Sequence, residues 1–524
     1  VENFIKDRYD NYEVLTGEVK APEPEIVCFY NARKACQLLY KHITNKSKIL
    51  IHSDVDCDGI GSTYIIYKFL CELGLRNNIG TCINKDKIHG INQNHVGFFN
   101  NTGANLIVIV DSATNDIEYI KQINCDVLVL DHHEILHNEL YGKTAGGEYI
   151  IVNNTTDNED FEFGKYIADD KMSGAEVVYE TLRLLQHMFN MTDILKALML
   201  YQWVGLTLFT DAVSTTTLRN QYYLDLTVHN LDTEETLKKM ISSLSQYQYS
   251  LDKNFINYQI APAFNRAIRA GYSAMALNYA LHTPEKINEL LVFKDLQDKI
   301  CADYMKGVSE YSQYAIRDIT DEIHKNYCGL LATKILDHCN KTSVVYVRDG
   351  EYAEGSFRGK YSLIDYRKFI DNWSPDTFAQ GHKAAFGFRV KLEELPQILL
   401  AATELEKGVD TREYVTAGNL PEGHQGIHHI TDFKEFKRQG LLWRLAIANS
   451  KLSTEDSLNI VIPNENLTPV ETKGKTYYYE IFGLKCQAFE ELKTPLLEIY
   501  VEYNKELKAY IRNKWRYTVK GREN

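Results

Sequence analysis

The sequence predicts an α/β protein: a doubly wound parallel sheet, then a long connecting helix, a smaller α/β domain and a β-rich C-terminal domain. Three observations predict it. Four short apolar runs, at 48–51, 105–110, 126–130 and 149–152, alternate with segments whose apolar residues recur at helical spacing. The first three runs each end in acidic residues or histidine, as the carboxyl edge of an open α/β sheet does where it binds ligands. After residue 392 the chain changes character, and helical Leu392–Lys407 gives way to the strand-like stretches Leu441–Ala448, Leu458–Ile462 and Tyr477–Phe482.

Taken in order, residues 1–46 read as helical around Asn31–Ile43 and lead into the first strand. Lys48-Ile-Leu-Ile51 is a buried parallel strand by its apolar run. It opens onto His52-Ser-Asp54-Val-Asp56-Cys-Asp58-Gly-Ile-Gly-Ser62, and Thr63–Leu73 then reads as a helix. Three alternating carboxylates on one turn repel one another in a low-dielectric site, so a divalent cation is expected among them. The bland reading is a solvated acidic turn that caps the helix. The second strand ends in Asp111-Ser-Ala-Thr and the third in Asp131-His132-His133-Glu134. A helical stretch, Leu195–Asp211, closes on Asp211. Any one of these ends alone reads as a helix cap. Together they deliver carboxylate and imidazole groups to one sheet edge. Hard oxygen donors dominate and cysteine is absent, which suits a pair of Mn²⁺ or Mg²⁺ ions better than zinc. Cys57, inside the first motif, is expected to be packing.

Further along, residues 284–326 carry Leu, Ile, Val and Tyr at helical spacing and read as a long connecting helix with associated turns. The domains expected are 1–230, a helical connector 231–326 that includes Pro262–Arg269, a third domain 327–392 and a fourth 393–524. The tail from Lys505 holds Lys and Arg interleaved with Tyr510, Trp515 and Tyr517. It suits single-strand backbone contact and base stacking, or equally a terminal helix whose aromatics pack on the domain. His424, His428 and His429 have no cysteine or carboxylate at ligand spacing and read as surface or packing residues.

Composition bounds the classes. The chain has 524 residues, 44% hydrophobic and 25% charged, as folded proteins do. Its 58 Lys and Arg against 71 Asp and Glu give a net charge of −13, which argues against a uniformly basic nucleic-acid coat but leaves room for a local basic groove. The ten cysteines form no C-x-x-C pair and lie mostly in apolar surroundings. With no apolar signal core or membrane-length run, a soluble cytoplasmic protein is expected.

The motif set resembles the DHH phosphoesterase superfamily, and within it the RecJ single-strand DNA exonucleases. His52-x-x-x-Asp56-x-Asp58, Asp111, Asp131-His132-His133 and Asp211 resemble its four motifs. Asp54-Val-Asp56-Cys-Asp58-Gly59-Ile-Gly-Ser62 resembles the RecJ form of the first. Lys171-Met-Ser173-Gly174 resembles the family's Ser-Gly helix start, and Ala261-Pro262-Ala-Phe-Asn265-Arg-Ala-Ile-Arg269 its Pro-x-x-Asn-Ala-x-x-Arg segment. Gly355-Ser356-Phe-Arg358 and Gly381-His382 resemble motifs of the second, DHHA1-type domain, expected at 327–392. Gln380 stands where the first Gly of Gly-Gly-His is usual, and Gly359-Lys360 follow Arg358 where Ser is usual.

The resemblance implies a two-metal phosphodiesterase that degrades single-stranded DNA from its 5′ end to mononucleotides. It implies His52, Asp56 and Asp111 on one ion, and Asp58, Asp111, His132 and Asp211 on the other. Asp131 would orient His132, His133 would hydrogen-bond the scissile phosphate, and Asp54 would support a ligand or the attacking water. Ser62, Asn265, Arg269, Ser356, Arg358, Gly381 and His382 would contact substrate, with Arg269, Arg358 and His382 engaging phosphates across a cleft. An oligonucleotide-binding barrel would follow. A phosphodiesterase for short oligonucleotides or cyclic dinucleotides is the alternative within the superfamily, and a non-catalytic replication or repair scaffold the alternative outside enzymes.

Overall fold

The structure is a computed structural model. It describes residues 11–85, 89–156, 171–228, 230, 232–245, 251–339, 341–360, 364–407, 441–453, 459–463, 467, 469–474, 476–481, 484–492, 496–504 and 506–513. Three histidines of the sequence analysis, His424, His428 and His429, lie outside these residues, as does the tail beyond Asn513.

Two compact units emerge. Tyr9–Lys294 with Ser450–Ser457 form one, and Asp295–Asn449 with Leu458–Asn524 fall in the other. The division cuts the expected connector at Lys294.

The first unit is built on six strands: β1 (Ile49–Ser53), β2 (Ile79–Ile83), β3 (Leu106–Val110), β4 (Asp126–Asp131), β5 (Tyr141–Lys143) and β6 (Glu148–Asn153). Their order is β2-β1-β3-β4-β6-β5, parallel except for β5 against β6. Strand alternation divides the apolar runs between two cores. Ile49, Ile51, Leu106, Val108, Val110, Leu128 and Leu130 enter one. Leu50, Ile107, Ile109, Val127 and Val129 enter the other. A sheet buried on both faces needs continuous apolar strands, and these are. Helices α1 (Ala32–Thr44), α2 (Cys57–Glu72), α3 (Gly174–Met188) and α4 (Tyr201–Thr210) contribute to the first core.

Helix α2 follows β1 directly, with Asp56 as its N-cap. Thirteen of its residues, from Cys57 to Leu70, are buried, which leaves little polar surface and makes it a central helix. It packs on α3 and α4. The approach to α4 is close because a Cβ at Gly61 would lie 2.6 Å from Thr207 Cγ2. Nearby, Tyr64 stacks on Trp203 with ring centroids 4.3 Å apart, and its hydroxyl donates to Glu234 Oε1 at 2.8 Å. Cys57 is 2% exposed and packs in this core, as expected. The predicted helix Leu195–Asp211 is broken: a short turn, Ile194–Ala197, is separated from α4 by Met199 at φ 51°.

The long helix expected over 284–326 is not formed. A 3₁₀ segment, Pro284–Leu291, precedes a helix that stops at Met305. Gly307 follows, and alternating Tyr314-Ala-Ile-Arg-Asp318 makes a strand with Ala315 fully buried. Strands β7 (Ser309–Glu310), β8 (Tyr314–Asp318), β9 (Thr342–Asp349), β10 (Tyr352–Arg358), β11 (Phe378–His382) and β12 (Ala385–Lys391) form a sheet in the order β11-β12-β10-β9-β8-β7. Helix Cys328–Cys339 connects parallel β8 and β9.

Leu441–Ala448 is a further correction: it belongs to a helix, Leu441–Lys451, because Leu445, Ala448 and Leu452 recur at helical rather than strand spacing and are buried. A third sheet holds β13 (Asn459–Pro463), β14 (Glu471–Lys473), β15 (Thr476–Ile481), β16 (Leu484–Ala488), β17 (Leu496–Asn504) and β18 (Glu506–Asn513). Its order is β13-β17-β18-β16-β15-β14, so the C-terminal region is β-rich as expected. The described start of the basic tail is strand β18, not a terminal helix. No helix among the described residues is long and apolar enough to cross a membrane.

Candidate metal centre

The order β2-β1-β3-β4 places a topological switch point between β1 and β3, where a crevice opens at the carboxyl ends of parallel strands. The acidic motifs converge there. Asp54, Asp56 and Asp58 follow β1, Asp111 follows β3, and Asp131 ends β4.

The start of α2 fixes the first set. Asp56 Oδ1 accepts from the amides of Asp58 and Gly59, each at 3.0 Å, so the cap reading of this turn holds alongside any ligand role. Gly59 is required because a Cβ there would lie 2.6 Å from Asp54 O. Asp58 spans to α3: its Oδ2 accepts from Gly174 N at 2.6 Å and its Oδ1 from Ala175 N at 3.0 Å. Ser173 caps α3, so the Ser-Gly pair supplies an N-terminus whose dipole and free amides hold this carboxylate. Gly174 also leaves room for Asp111, since a Cβ at 174 would meet Asp111 Oδ1 at 2.2 Å. Asp111 itself sits at φ 62°, a strained backbone for a non-glycine residue.

His132 Nε2 faces three carboxylates: Asp111 Oδ1 at 3.2 Å, Asp211 Oδ2 at 3.7 Å and Asp58 Oδ2 at 3.9 Å. Its Nδ1 lies 2.8 Å from Met172 O, which assigns the proton to Nδ1 and turns the Nε2 lone pair toward the acids. This corrects the expectation that Asp131 orients His132. Asp131 Oδ1 instead takes His133 Nδ1 at 2.7 Å and the backbone amides of His132 and His133, while its Oδ2 accepts from Thr114 N. The reason is local: with His132 and His133 both on the turn after β4, only the second ring folds back onto the Asp131 carboxylate.

The electrostatics follow. Burial raises the pKa values of Asp58, Asp111 and Asp211; Asp58 and Asp56 push Asp111 and Asp211 up further, while on Asp58 the lowering by His132 and the α3 amides and the repulsion from Asp56 leave the value raised. Burial opposes ionisation of Asp131 too, but His133 and the other donors hold its carboxyl well below the usual range. Burial likewise works against charge on His133, yet Asp131 brings it up to about 10.

The residues fit divalent cations. Asp111 Oδ1 and Asp54 Oδ1 are buried oxygens without a hydrogen-bond partner among the described residues, and the His132 Nε2 lone pair faces several carboxylates. Three groups could hold an ion: Asp54, Asp56 and His89; Asp58, His132 and Asp211; Asp111, His132 and His133. His52 joins none of these among the described residues. It lies within β1, 1% exposed, with Nδ1 3.4 Å from Cys82 Sγ.

Sequence reasoning missed His89, whose Nδ1 is 2.6 Å from Asp54 Oδ2. It follows β2, the neighbour of β1, a strand with no apolar run to mark it.

The substrate-contact expectations divide. Ser62 is fully buried one turn beyond Asp58 on α2. Asn265 and Arg269 lie one turn apart on helix Ala261–Arg269, both half-buried, directly after a π-helical turn, Ile256–Ile260. In the second unit, Ser356 and Arg358 share the face of β10 opposite buried Phe357. Arg358 Nε donates to Thr333 Oγ1 at 3.1 Å. Gly381 takes φ 131° on β11, and His382 ends that strand, its side chain outside the described set.

Residues 48–201 match the model of the DHH family, N-terminal domain. The chain is similar to the putative SPbeta prophage-derived single-strand DNA-specific exonuclease YorK of Bacillus subtilis (strain 168). The two are 22% identical over 425 residues, covering 73% of this chain and 70% of that protein. The single-stranded-DNA-specific exonuclease RecJ of the same organism is 20% identical over 409 residues, covering 73% of this chain and 48% of RecJ. Among solved structures, RecJ from Thermus thermophilus in complex with Mn²⁺ aligns with a TM-score of 0.67 at 16% identity, over 94% of this chain and 73% of that one. An exonuclease RecJ bound to manganese aligns with a TM-score of 0.56 at 18% identity, over 76% and 100%. These structural likenesses show the fold.

Proposed function

We propose that this chain is a metal-dependent phosphodiesterase that degrades single-stranded DNA from the 5′ end and releases mononucleotides, using two divalent cations, Mn²⁺ or Mg²⁺. The observation that carries the reading is the meeting of Asp58, Asp111, Asp211 and the His132 Nε2 lone pair at the sheet's switch point. The names of the relatives, single-strand DNA-specific exonucleases, support the substrate class.

Asp58, Asp111, His132 and Asp211 would hold one cation, with Asp54 and Asp56 beside them for another. Cations there would polarise a phosphoryl oxygen and lower the pKa of an attacking water. The chain's own part is positioning. The α3 N-terminus fixes Asp58, and Met172 O fixes the tautomer of His132. Asp131 keeps His133 protonated, so that His133 can donate to a non-bridging phosphate oxygen. Asn265, Arg269, Ser356, Arg358, Gly381 and His382 are the proposed substrate contacts beyond the reacting phosphate. Ser62 and Cys57, the two nucleophiles of the first motif, are buried, and the reading assigns neither a covalent role.

The test is a digest panel with Mn²⁺ that compares single-stranded DNA, duplex DNA, RNA, dinucleotides and cyclic dinucleotides, with 5′ and 3′ labels on separate strands. Release of mononucleotides from the 5′ end of single-stranded DNA is expected. Cleavage confined to dinucleotides would replace the proposal with a short-oligonucleotide phosphodiesterase, and no cleavage of any member would favour a scaffold.

A further inference from the structure

We propose that His89 is the imidazole ligand of the cation seated at Asp54 and Asp56, the place that the sequence motif offers to His52. The inference rests on the metal-dependent reading above and deepens it.

The Asp54 carboxyl is 1% exposed, and its Oδ2 lies 2.6 Å from His89 Nδ1. Its other oxygen, Oδ1, is buried with no hydrogen-bond partner among the described residues. A buried carboxylate oxygen without a donor is costly, and a cation makes good the deficit. Ligand atoms of Asp54, Asp56 and His89 lie within 4.8 Å of one another. Asp56 is held in place by its two cap bonds from Asp58 N and Gly59 N. Two carboxylates and an imidazole form a donor set suited to Mn²⁺.

His52 is placed differently. It is the fourth residue of β1, inside the strand rather than beyond its end, and pairs in register with Cys82 and Ile109. Strand alternation puts it on the same face as Leu50, beneath helix Gln93–Thr102. Its ring meets His95 and Phe99 edge-on, with centroids 5.3 and 5.5 Å away. The positioning of His89 comes from the loop after β2, where Asn84 Nδ2 donates to Gly90 O at 3.2 Å and Ile91 N donates to Asp116 Oδ2 at 2.8 Å. A Cβ at Gly90 would meet that same Asp116 oxygen at 2.1 Å, so the turn carrying His89 is closely fitted. His52 Nε2 is buried as well, near the Gly90 backbone that follows His89, so the two imidazoles are compared directly.

The experiment is a Mn²⁺ titration followed by electron paramagnetic resonance, with pulsed measurements of imidazole nitrogen coupling. It uses the full chain as wild type, His89→Ala, His89→Gln and His52→Gln, with circular dichroism melts to verify folding. The wild type is expected to bind two ions. Both His89 variants should bind one of them about 10–100-fold more weakly, with one nitrogen coupling lost, and His52→Gln should keep both ions and all couplings. His89 is half exposed, so its variants should melt like the wild type. Two ions with unchanged couplings in both His89 variants would overturn the assignment, as would loss of an ion in folded His52→Gln. A wild type that binds no Mn²⁺ would instead overturn the metal-dependent reading itself.

Discussion

Asp111 concentrates the conflict between stability and function. Its backbone is held at φ 62°, its carboxyl is buried, and Asp58 and Asp56 push its pKa up further. Asp111→Asn should therefore reduce Mn²⁺-dependent cleavage by roughly 10³-fold or more. In chelator, the same change removes a buried like charge, so the melting temperature should rise above that of the wild type. The expected gain is about 2–4 °C for each kcal/mol recovered, read by calorimetry. An unchanged rate would remove Asp111 from the centre, and a lowered melting temperature in chelator would show that the carboxylate is not strained. Gly174→Ala tests the neighbour. Its Cβ would meet Asp111 Oδ1 at 2.2 Å, so Asp111 or the α3 amides on Asp58 must shift, and kcat should fall by about 10²-fold with little change in fold. The acids of the first three motifs were legible in the sequence because each lies at the end of an apolar strand, and Asp211 because it closes a helical stretch. The Met172 contact was not: His132 and Met172 are 40 positions apart, and a backbone carbonyl carries no residue-type signal.

At the level of elements, charged pairs tie helices and strands together away from the centre. Lys41 and His42 at the end of α1 meet Asp126 at the start of β4, at 2.7 and 2.9 Å. Burial raises the pKa of Asp126, but Lys41, the Glu148 amide and His42 outweigh it and lower the value below 3.8. A depressed carboxylate stabilises the fold above its unfolded value and loses that contribution as pH falls through the folded value. Asp126→Asn should thus melt below the wild type near pH 6, and the gap should close on acidification below about pH 3.8. A gap that does not depend on pH would locate the effect in packing. Inside α3, Arg183 pairs with fully buried Glu180 at 2.9 Å, and Tyr223 donates to the same carboxylate. Arg183→Met leaves that charge alone and should cost about 3–5 kcal/mol in a denaturant titration. Four of the six strands of the first sheet were legible because β1, β3 and β4 are buried throughout and β6 nearly so. Strand β2 was not, since Ile-Gly-Thr-Cys-Ile at 79–83 is only half-buried and shows no apolar run. His89 was missed with it.

Across the whole molecule, chain order and compact units do not coincide. Ser450–Ser457 belong to the first unit although they lie far along the chain. Lys451 Nζ meets Asp225 at 2.8 Å and Val14 O at 3.0 Å. Ser453 N donates to Thr215 Oγ1 at 2.7 Å, and Lys253 Nζ donates to Leu452 O at 2.5 Å. Lys451→Ala should lower the stability of the first unit by about 1.5–3 kcal/mol. Hydrogen exchange of α1–α4 reads this, and protection unchanged there would show that the segment is only a passenger. No local pattern in residues 450–453 announces this return, because its partners lie more than 190 positions away. The same distance explains why contiguous domain boundaries were expected.

That returning segment bears on how the protein is made. Synthesis runs from the N-terminus, and domains tend to fold as they emerge. Here the unit that holds the acidic centre makes its contacts from Lys451 to Asp225 and Val14 O, and from Ser453 N to Thr215 Oγ1, only after Lys451 and Ser453 have left the ribosome. Residues 295–449 of the other unit are translated before these contacts can form, so the first unit completes its hydrogen bonds late in synthesis.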